Sequence, residues 1–141
     1  MIYLLDMNAL VALGFINHEF HDRVASWVQS LQIQSQKIRS QNSLSLASCS
    51  ITELGFVRVL AQAAAYGFTV TQARTLLLRL KQVRTLPLVF IPDEHDVSQL
   101  PSWVMAPRQI TDGHLSKLAT ANSAVLATLD ENIPGSYLIP R

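Results

Sequence analysis

Residues 111–130, TDGHLSKLATANSAVLATLD, decide the fold. Leu115, Leu118 and Ala119 keep the i, i+3, i+4 spacing of a core-facing helix, while Ser116 and Lys117 point elsewhere. Thr111 is placed to cap that helix, which puts Asp112 in its first turn. Asn122 and Ser123 break the pattern, and residues 124–127, AVLA, form the short apolar run of a strand covered on both faces. A helix of about ten residues advances roughly 15 Å and a return strand of about five covers roughly 16 Å, so the two legs nearly cancel. Asp112 and Asp130, eighteen positions apart, are therefore expected at one sheet edge, the edge where open α/β sheets place their ligands.

The same grammar extends through the chain. Residues 2–5 are an apolar run ending in Asp6, a parallel strand that presents a carboxylate at its carboxyl end. Residues 8–14 start a first helix. Phe20, Val24, Trp27, Val28 and Leu31 give a second helix over 19–30, and the Gln-, Ser- and Asn-rich residues 32–43 read as an exposed connection. Residues 44–47 make a strand, and a helix from Ser50 to about Ala65 is ended by Gly67. Ala73, Leu76, Leu77, Leu80 and Val83 mark an amphipathic helix with Arg74, Lys81 and Arg84 on or near its wet side. Residues 88–91, bracketed by Pro87 and Pro92, are a third strand; 93–108 read as loop with one helical turn, and 137–139 add an edge strand stopped by Pro140. Strands alternating with helices predict a single three-layer α/β domain over residues 1–141, its central parallel sheet joined by right-handed crossovers.

Composition narrows the class. At 141 residues, 49% apolar and 15% charged, the chain is long enough for one full core and too apolar for disorder. The start, MIYLLD, makes a poor signal peptide, and no uncharged apolar window reaches membrane-span length, so a soluble protein is expected. A lone Cys49 excludes a disulfide framework and suits a reducing cytoplasm. The net charge of +1 conceals a split: if Asp6, Glu53, Asp112 and Asp130 gather in one site, the 11 Lys and Arg face 6 remaining acids, a balance of +5 elsewhere. A basic surface around an acidic pocket suits a polyanionic substrate.

Each of the four acids also has a plain structural reading. Asp6 suits the cap of the first helix as well as it suits a site, and Asn8 could be that cap or could hold the Asp6 carboxylate through its amide. Ser50 to Glu53 spells a capping box. Asp112 is favoured in a first turn by the helix dipole, by roughly 0.3 to 1 kcal/mol, and Asp130 within DEN suits a turn. Four separate structural explanations are needed, whereas one shared sheet edge accounts for all four acids. Crowded carboxylates repel, and a hard dication resolves the repulsion; oxygen ligands without Cys or His select Mg²⁺ or Mn²⁺ and metal-assisted phosphodiester hydrolysis. His18 and His21 read as polar residues at a helix entrance rather than as a shared metal site, and His114 could reach the site or solvent. Arg58, some 140° around its helix from Glu53 at about 100° per residue, could approach a backbone phosphate or solvate the helix.

The blocks LLDMNALVAL, HDRVASWV, SITELGFVRVL, RQITDGHLSKLA and AVLATLDENI, in that order, resemble the PIN-domain ribonucleases, specifically the VapC-type toxins of type II toxin–antitoxin pairs. The resemblance spans nearly the whole chain. It implies a small cytoplasmic, Mg²⁺- or Mn²⁺-dependent endoribonuclease that hydrolyses RNA, forms a homodimer and is neutralised by a cognate antitoxin. By the same resemblance Asp6, Asp112 and Asp130 hold metal, Glu53 binds metal or orients the attacking water, and Asn8 is a supporting polar residue. The chain departs from the family pattern at Met7, where Thr or Ser is usual, and at Asn132, where some relatives carry another acid. Two other functions are compatible with the same residues: a catalytically silent RNA- or protein-binding module, and an Asp-nucleophile phosphatase, which would need a second acid where Asn8 stands.

Overall fold

The computed structural model describes residues 1–37, 44–83, 85 and 87–141. The elements run β1 Ile2–Leu5, α1 Met7–Gly14, α2 His21–Lys37, β2 Ser45–Ser48, α3 Ser50–Gln62, α4 Val70–Leu80, β3 Leu88–Phe90, α5 Ile110–Ala121, β4 Ala124–Thr128 and β5 Tyr137–Leu138. All strand pairs are parallel, in the order β3-β2-β1-β4-β5. The chain builds outward from β1 to β2 and β3, then crosses to β1's other side for β4 and β5. The reversal between β1 and β4 is the topological switch point at which sheets of this kind open a crevice.

Side-chain alternation divides the core into the expected layers. Leu5 packs with Leu10, Phe56 and Leu60 on the α1–α4 side, whereas Leu4 packs with Leu115, Leu118 and Leu126 on the α5 side. Both leucines are fully buried. This double coverage is why β1 and β4 read as unbroken apolar runs rather than as alternating ones.

Among the predicted boundaries that move, three do so for a local reason. α2 continues to Lys37, past Leu31, the last buried residue of its stripe, because exposed polar residues such as glutamine and serine do not interrupt a helix. Residues 38–43 of the predicted connection, and Arg84 of the predicted wet face, lie outside the described residues. α3 is capped one residue earlier than the capping box implies: Cys49 is the cap, and Thr52 Oγ1 accepts the Cys49 N–H at 3.0 Å, so Glu53 is left out of the cap. α5 starts at Ile110 rather than being capped by Thr111. A 3₁₀ turn, Pro107–Gln109, feeds straight into it, and Gln109 Oε1 accepts the N–H groups of Met105 and Ala106 at 2.8 and 2.9 Å. Asp112 thereby becomes the third residue of α5.

The loop before that turn is clamped onto α5. A Cβ placed on Gly113 would meet Val104 Cγ2 at 2.2 Å and Pro101 Cδ at 3.5 Å, so glycine is what lets residues 101–104 lie on the helix. Gly113→Ala is predicted to push that loop outward at a cost of about 1–3 kcal/mol, typical of overpacking. The urea midpoint measures it, and an unchanged midpoint would show the loop to be loosely held.

Candidate active site

Asp6 is the first residue beyond β1 and the cap of α1, so both readings of it hold at once. Its Oδ1 accepts the Ala9 N–H at 2.7 Å, and its Oδ2 accepts the Thr128 hydroxyl at 2.5 Å. The register explains the second bond: Leu5 pairs with Ala127, which brings Asp6 beside Thr128 one step further along. Asn8, exposed in the first turn of α1, makes no hydrogen bond to Asp6 among the described residues, so the predicted amide support is replaced by a hydroxyl from the neighbouring strand. Met7 turns toward α3, where its side chain occupies the space over Gly55.

Thr128 does more than hold Asp6. It is fully buried, and its Oγ1 also accepts the Asp130 N–H at 3.0 Å, fixing the turn that carries Asp130. Asp130 Oδ1 in turn accepts the backbone N–H of Asn132 at 2.9 Å and its side-chain amide at 3.1 Å. The turn reading of DEN is thus correct for one carboxylate oxygen; the other has no partner among the described residues. Asp112 stands half-buried in the first turn of α5, with no hydrogen-bond partner for its carboxylate among the described residues.

The three aspartates influence one another electrostatically. Burial pushes the Asp6 carboxyl above the usual carboxylate range; its two hydrogen bonds pull it back, and the negative charges of Asp112 and Asp130 push it up again. Burial likewise raises Asp112, with Asp130 adding to the effect. No lysine or arginine pairs with any of the three among the described residues. Asp112 and Asp130 share a cavity of about 530 Å³ with Trp103, Arg108, Gln109, Asn132 and Ile133.

Glu53, the fourth acid, is not gathered with the others. Its Oε2 accepts the Ser48 hydroxyl at 2.5 Å and pairs with the Lys81 ammonium at 2.7 Å. Arg58 is exposed on α3 and does not line the cavity; Arg108 does. His21 Nδ1 is bonded to the Ala12 carbonyl at 2.8 Å and His18 Nδ1 accepts the Phe20 N–H at 3.0 Å, so the two do not share a ligand. His114 lies about 200° around α5 from Asp112 and is bonded to Asp93, facing away from the acids. Thr128, Trp103, Arg108 and Gln109 carry no periodic signal in the sequence. Only Thr128 had a legible cue, as a hydroxyl closing a buried strand in register with an acid.

The donor set is carboxylate oxygen throughout, which fits a hard divalent cation, and an uncompensated triad of like charges has a physical need for one. As placed, no three His, Cys, Asp or Glu side chains among the described residues form a group that could hold a metal ion.

No family model matches the chain. Ribonuclease VapC38 of Mycobacterium tuberculosis (strain ATCC 25618 / H37Rv) is 33% identical to it over 135 residues, covering 92% of this chain and 86% of the relative. Ribonuclease VapC44 of Mycobacterium tuberculosis (strain CDC 1551 / Oshkosh) is also 33% identical over 135 residues, covering 92% and 87%. Ribonuclease VapC29 from the same strain is 29% identical over 134 residues, covering 94% and 89%. Among solved structures, a chain in the crystal structure of VapBC2 from Rickettsia felis bound to a DNA fragment from their promoter has the same fold. It superposes with a TM-score of 0.59 at 16% identity, covering 98% of this chain and 97% of that one.

The raised carboxyls of Asp6 and Asp112 set the sign of a pH effect. Above the ordinary value of 3.8 the folded state retains protons that the unfolded state has lost, so stability falls as pH rises through the raised values and increases on acidification back through them. In EDTA the melting temperature is predicted to rise as pH is lowered from neutrality toward the ordinary carboxylate range, and Asp112→Asn should raise the neutral-pH value and flatten the slope. An Asp112→Asn profile that parallels the unsubstituted chain would contradict the convergence.

Proposed function

The chain belongs to the VapC ribonucleases, and on that premise we propose that it is a toxin endoribonuclease that cleaves RNA phosphodiester bonds with Mg²⁺ or Mn²⁺ held by Asp6, Asp112 and Asp130. One observation carries the reading: carboxylates from the end of β1, from α5 and from the turn after β4 repel one another at the β1/β4 switch point, and none has a lysine or arginine partner among the described residues. A bound ion supplies Lewis acidity, lowering the pKa of a coordinated water and polarising a phosphoryl oxygen.

The protein's own part is positioning. Thr128 and the Ala9 N–H orient Asp6 while leaving lone pairs on both of its oxygens. The α5 N-terminus adds its partial positive charge beside Asp112, steadying an anion there. Glu53, held by Ser48 and Lys81, would have to leave that ion pair before it could orient an attacking water. Asn8, exposed in the first turn of α1, takes a supporting place toward substrate rather than toward Asp6. Arg58, exposed on α3, is available to a more distant phosphate of the same strand.

The family also implies the setting: a cytoplasmic homodimer silenced by a cognate antitoxin. No helix among the described residues is long and apolar enough to cross a membrane. The lone cysteine, Cys49, is buried. The phosphatase alternative loses support, because the place of its second acid is an exposed asparagine.

Asp6→Asn retains an acceptor for the Ala9 N–H and is predicted to keep the far-ultraviolet circular dichroism and the melting cooperativity. Cleavage of labelled RNA should fall at least about a hundredfold, and EDTA should abolish cleavage by the unsubstituted chain until Mg²⁺ or Mn²⁺ is restored. Undiminished cleavage by Asp6→Asn would reject the assignment.

A further inference from the structure

The cavity beside the acids has a second wall that the proposed chemistry does not use. Trp103 is partly buried, packed on one side against the α5 core layer, and lines the cavity together with Asp112 and Asp130. Arg108 lines the same space, is exposed, and forms no ion pair or side-chain hydrogen bond among the described residues although two carboxylates border its cavity. Gln109 spends its side-chain oxygen on the Met105 and Ala106 N–H groups, and its amide nitrogen has no partner among the described residues. An aromatic ring, a guanidinium and an amide donor, the last two without a partner among the described residues, therefore line one open cavity.

We propose that this wall is a nucleotide subsite: Trp103 stacks a base of single-stranded RNA next to the scissile bond, Arg108 meets a phosphate of that strand, and the Gln109 amide reads a base-edge acceptor. The inference rests on the nuclease reading of the cavity and adds the substrate class. At about 530 Å³ the space falls within the range of roughly 300–1,000 Å³ usual for sites that enclose a small molecule, so it accepts an unstacked nucleotide. A base inside a duplex is already stacked and cannot enter, whereas single strands are bound by aromatic platforms flanked by cations. The clamp of residues 101–104 on Gly113 fixes Trp103 relative to Asp112, so a stacked base would set where along the strand the bond is cut.

The experiment compares the unsubstituted chain with Trp103→Phe, Trp103→Leu and Arg108→Gln, each first checked for an unchanged melting transition. In EDTA, short oligo(A) and oligo(U) strands are titrated while tryptophan emission and fluorescence anisotropy of the labelled RNA are followed; with Mg²⁺ or Mn²⁺, KM and kcat are measured. Quenching of the native emission by single strands is expected, and none when the strand is annealed to its complement. Trp103→Leu, which keeps apolar packing but loses the ring, should weaken binding and raise KM roughly tenfold, the size expected for one lost base stack, with a smaller change in kcat. Trp103→Phe should restore most of the loss, and Arg108→Gln should weaken binding and lower the salt slope by about one charge. RNA binding and KM unchanged in both Trp103→Leu and Arg108→Gln would overturn the subsite and leave the wall as loop packing or a protein contact. Were Trp103→Leu to lose its fold, an unchanged salt slope in Arg108→Gln, which substitutes an exposed side chain, would overturn it alone. Loss of cleavage in Asp6→Asn alongside that result would leave the nuclease reading standing without the subsite, and absence of cleavage by the unsubstituted chain would fail the nuclease reading while the EDTA titrations still judge the subsite.

Discussion

A hydroxyl donated by Thr128 to Asp6 joins residues 122 positions apart, and the catalytic reading depends on it. A buried carboxylate is costly unless its oxygens are bonded, and hydrogen bonds to a charged group contribute about 1.5–3 kcal/mol each. Asp6 receives two, from Thr128 and from the Ala9 N–H, which is enough to hold the carboxylate in place but not enough to offset burial and two neighbouring acids, since its pKa remains raised. A site of this kind is rigid and electrostatically dissatisfied together. Rigidity comes from the sheet, through the register that sets Thr128 beside Asp6, and the dissatisfaction is what a divalent cation would relieve.

Topology concentrates that tension in one place. With β1 central and β4 added on the side opposite β2, the carboxyl ends of β1 and β4 part their following segments, α1 going to one face while the turn carrying Asp130 stays at the edge. α5, which precedes β4 and runs antiparallel to it, starts at that same edge, so its first turn holds Asp112 there. The loop of residues 101–104 would have no reason to lie there without Gly113, whose missing side chain admits Val104. One glycine thus couples the acid that follows the loop to the aromatic ring within it.

Much of this was readable from residues alone, and the failures have definable causes. The β1 and β4 runs were legible because both faces of each are covered, leaving no polar alternation to confuse the pattern. Asp112 and Asp130 were legible as neighbours because a helix and its return strand have nearly equal lengths. The end of α2 was misread because beyond Leu31 no buried residue marks the helix, and exposed glutamine and serine look like a loop. The cap of α3 was misassigned because Cys49 lacks the usual capping oxygen and Thr52 supplies one from inside the helix. Glu53 was grouped with the aspartates because it shares their sheet edge, but edge position does not specify which way a carboxylate turns, and Lys81, 28 residues later, supplies a nearer charge. Trp103 and Arg108 sit in irregular backbone, where no period exists to announce a wall of the site.

The central claim is that three aspartates serve one ion, and direct Mn²⁺ binding tests it without reference to RNA. Electron paramagnetic resonance titration of the metal-free chain should reveal a tightest binding event that Asp6→Asn, Asp112→Asn and Asp130→Asn each weaken by at least about tenfold. Retention of that event at its original affinity in any one of the three would mean that the carboxylates do not act together.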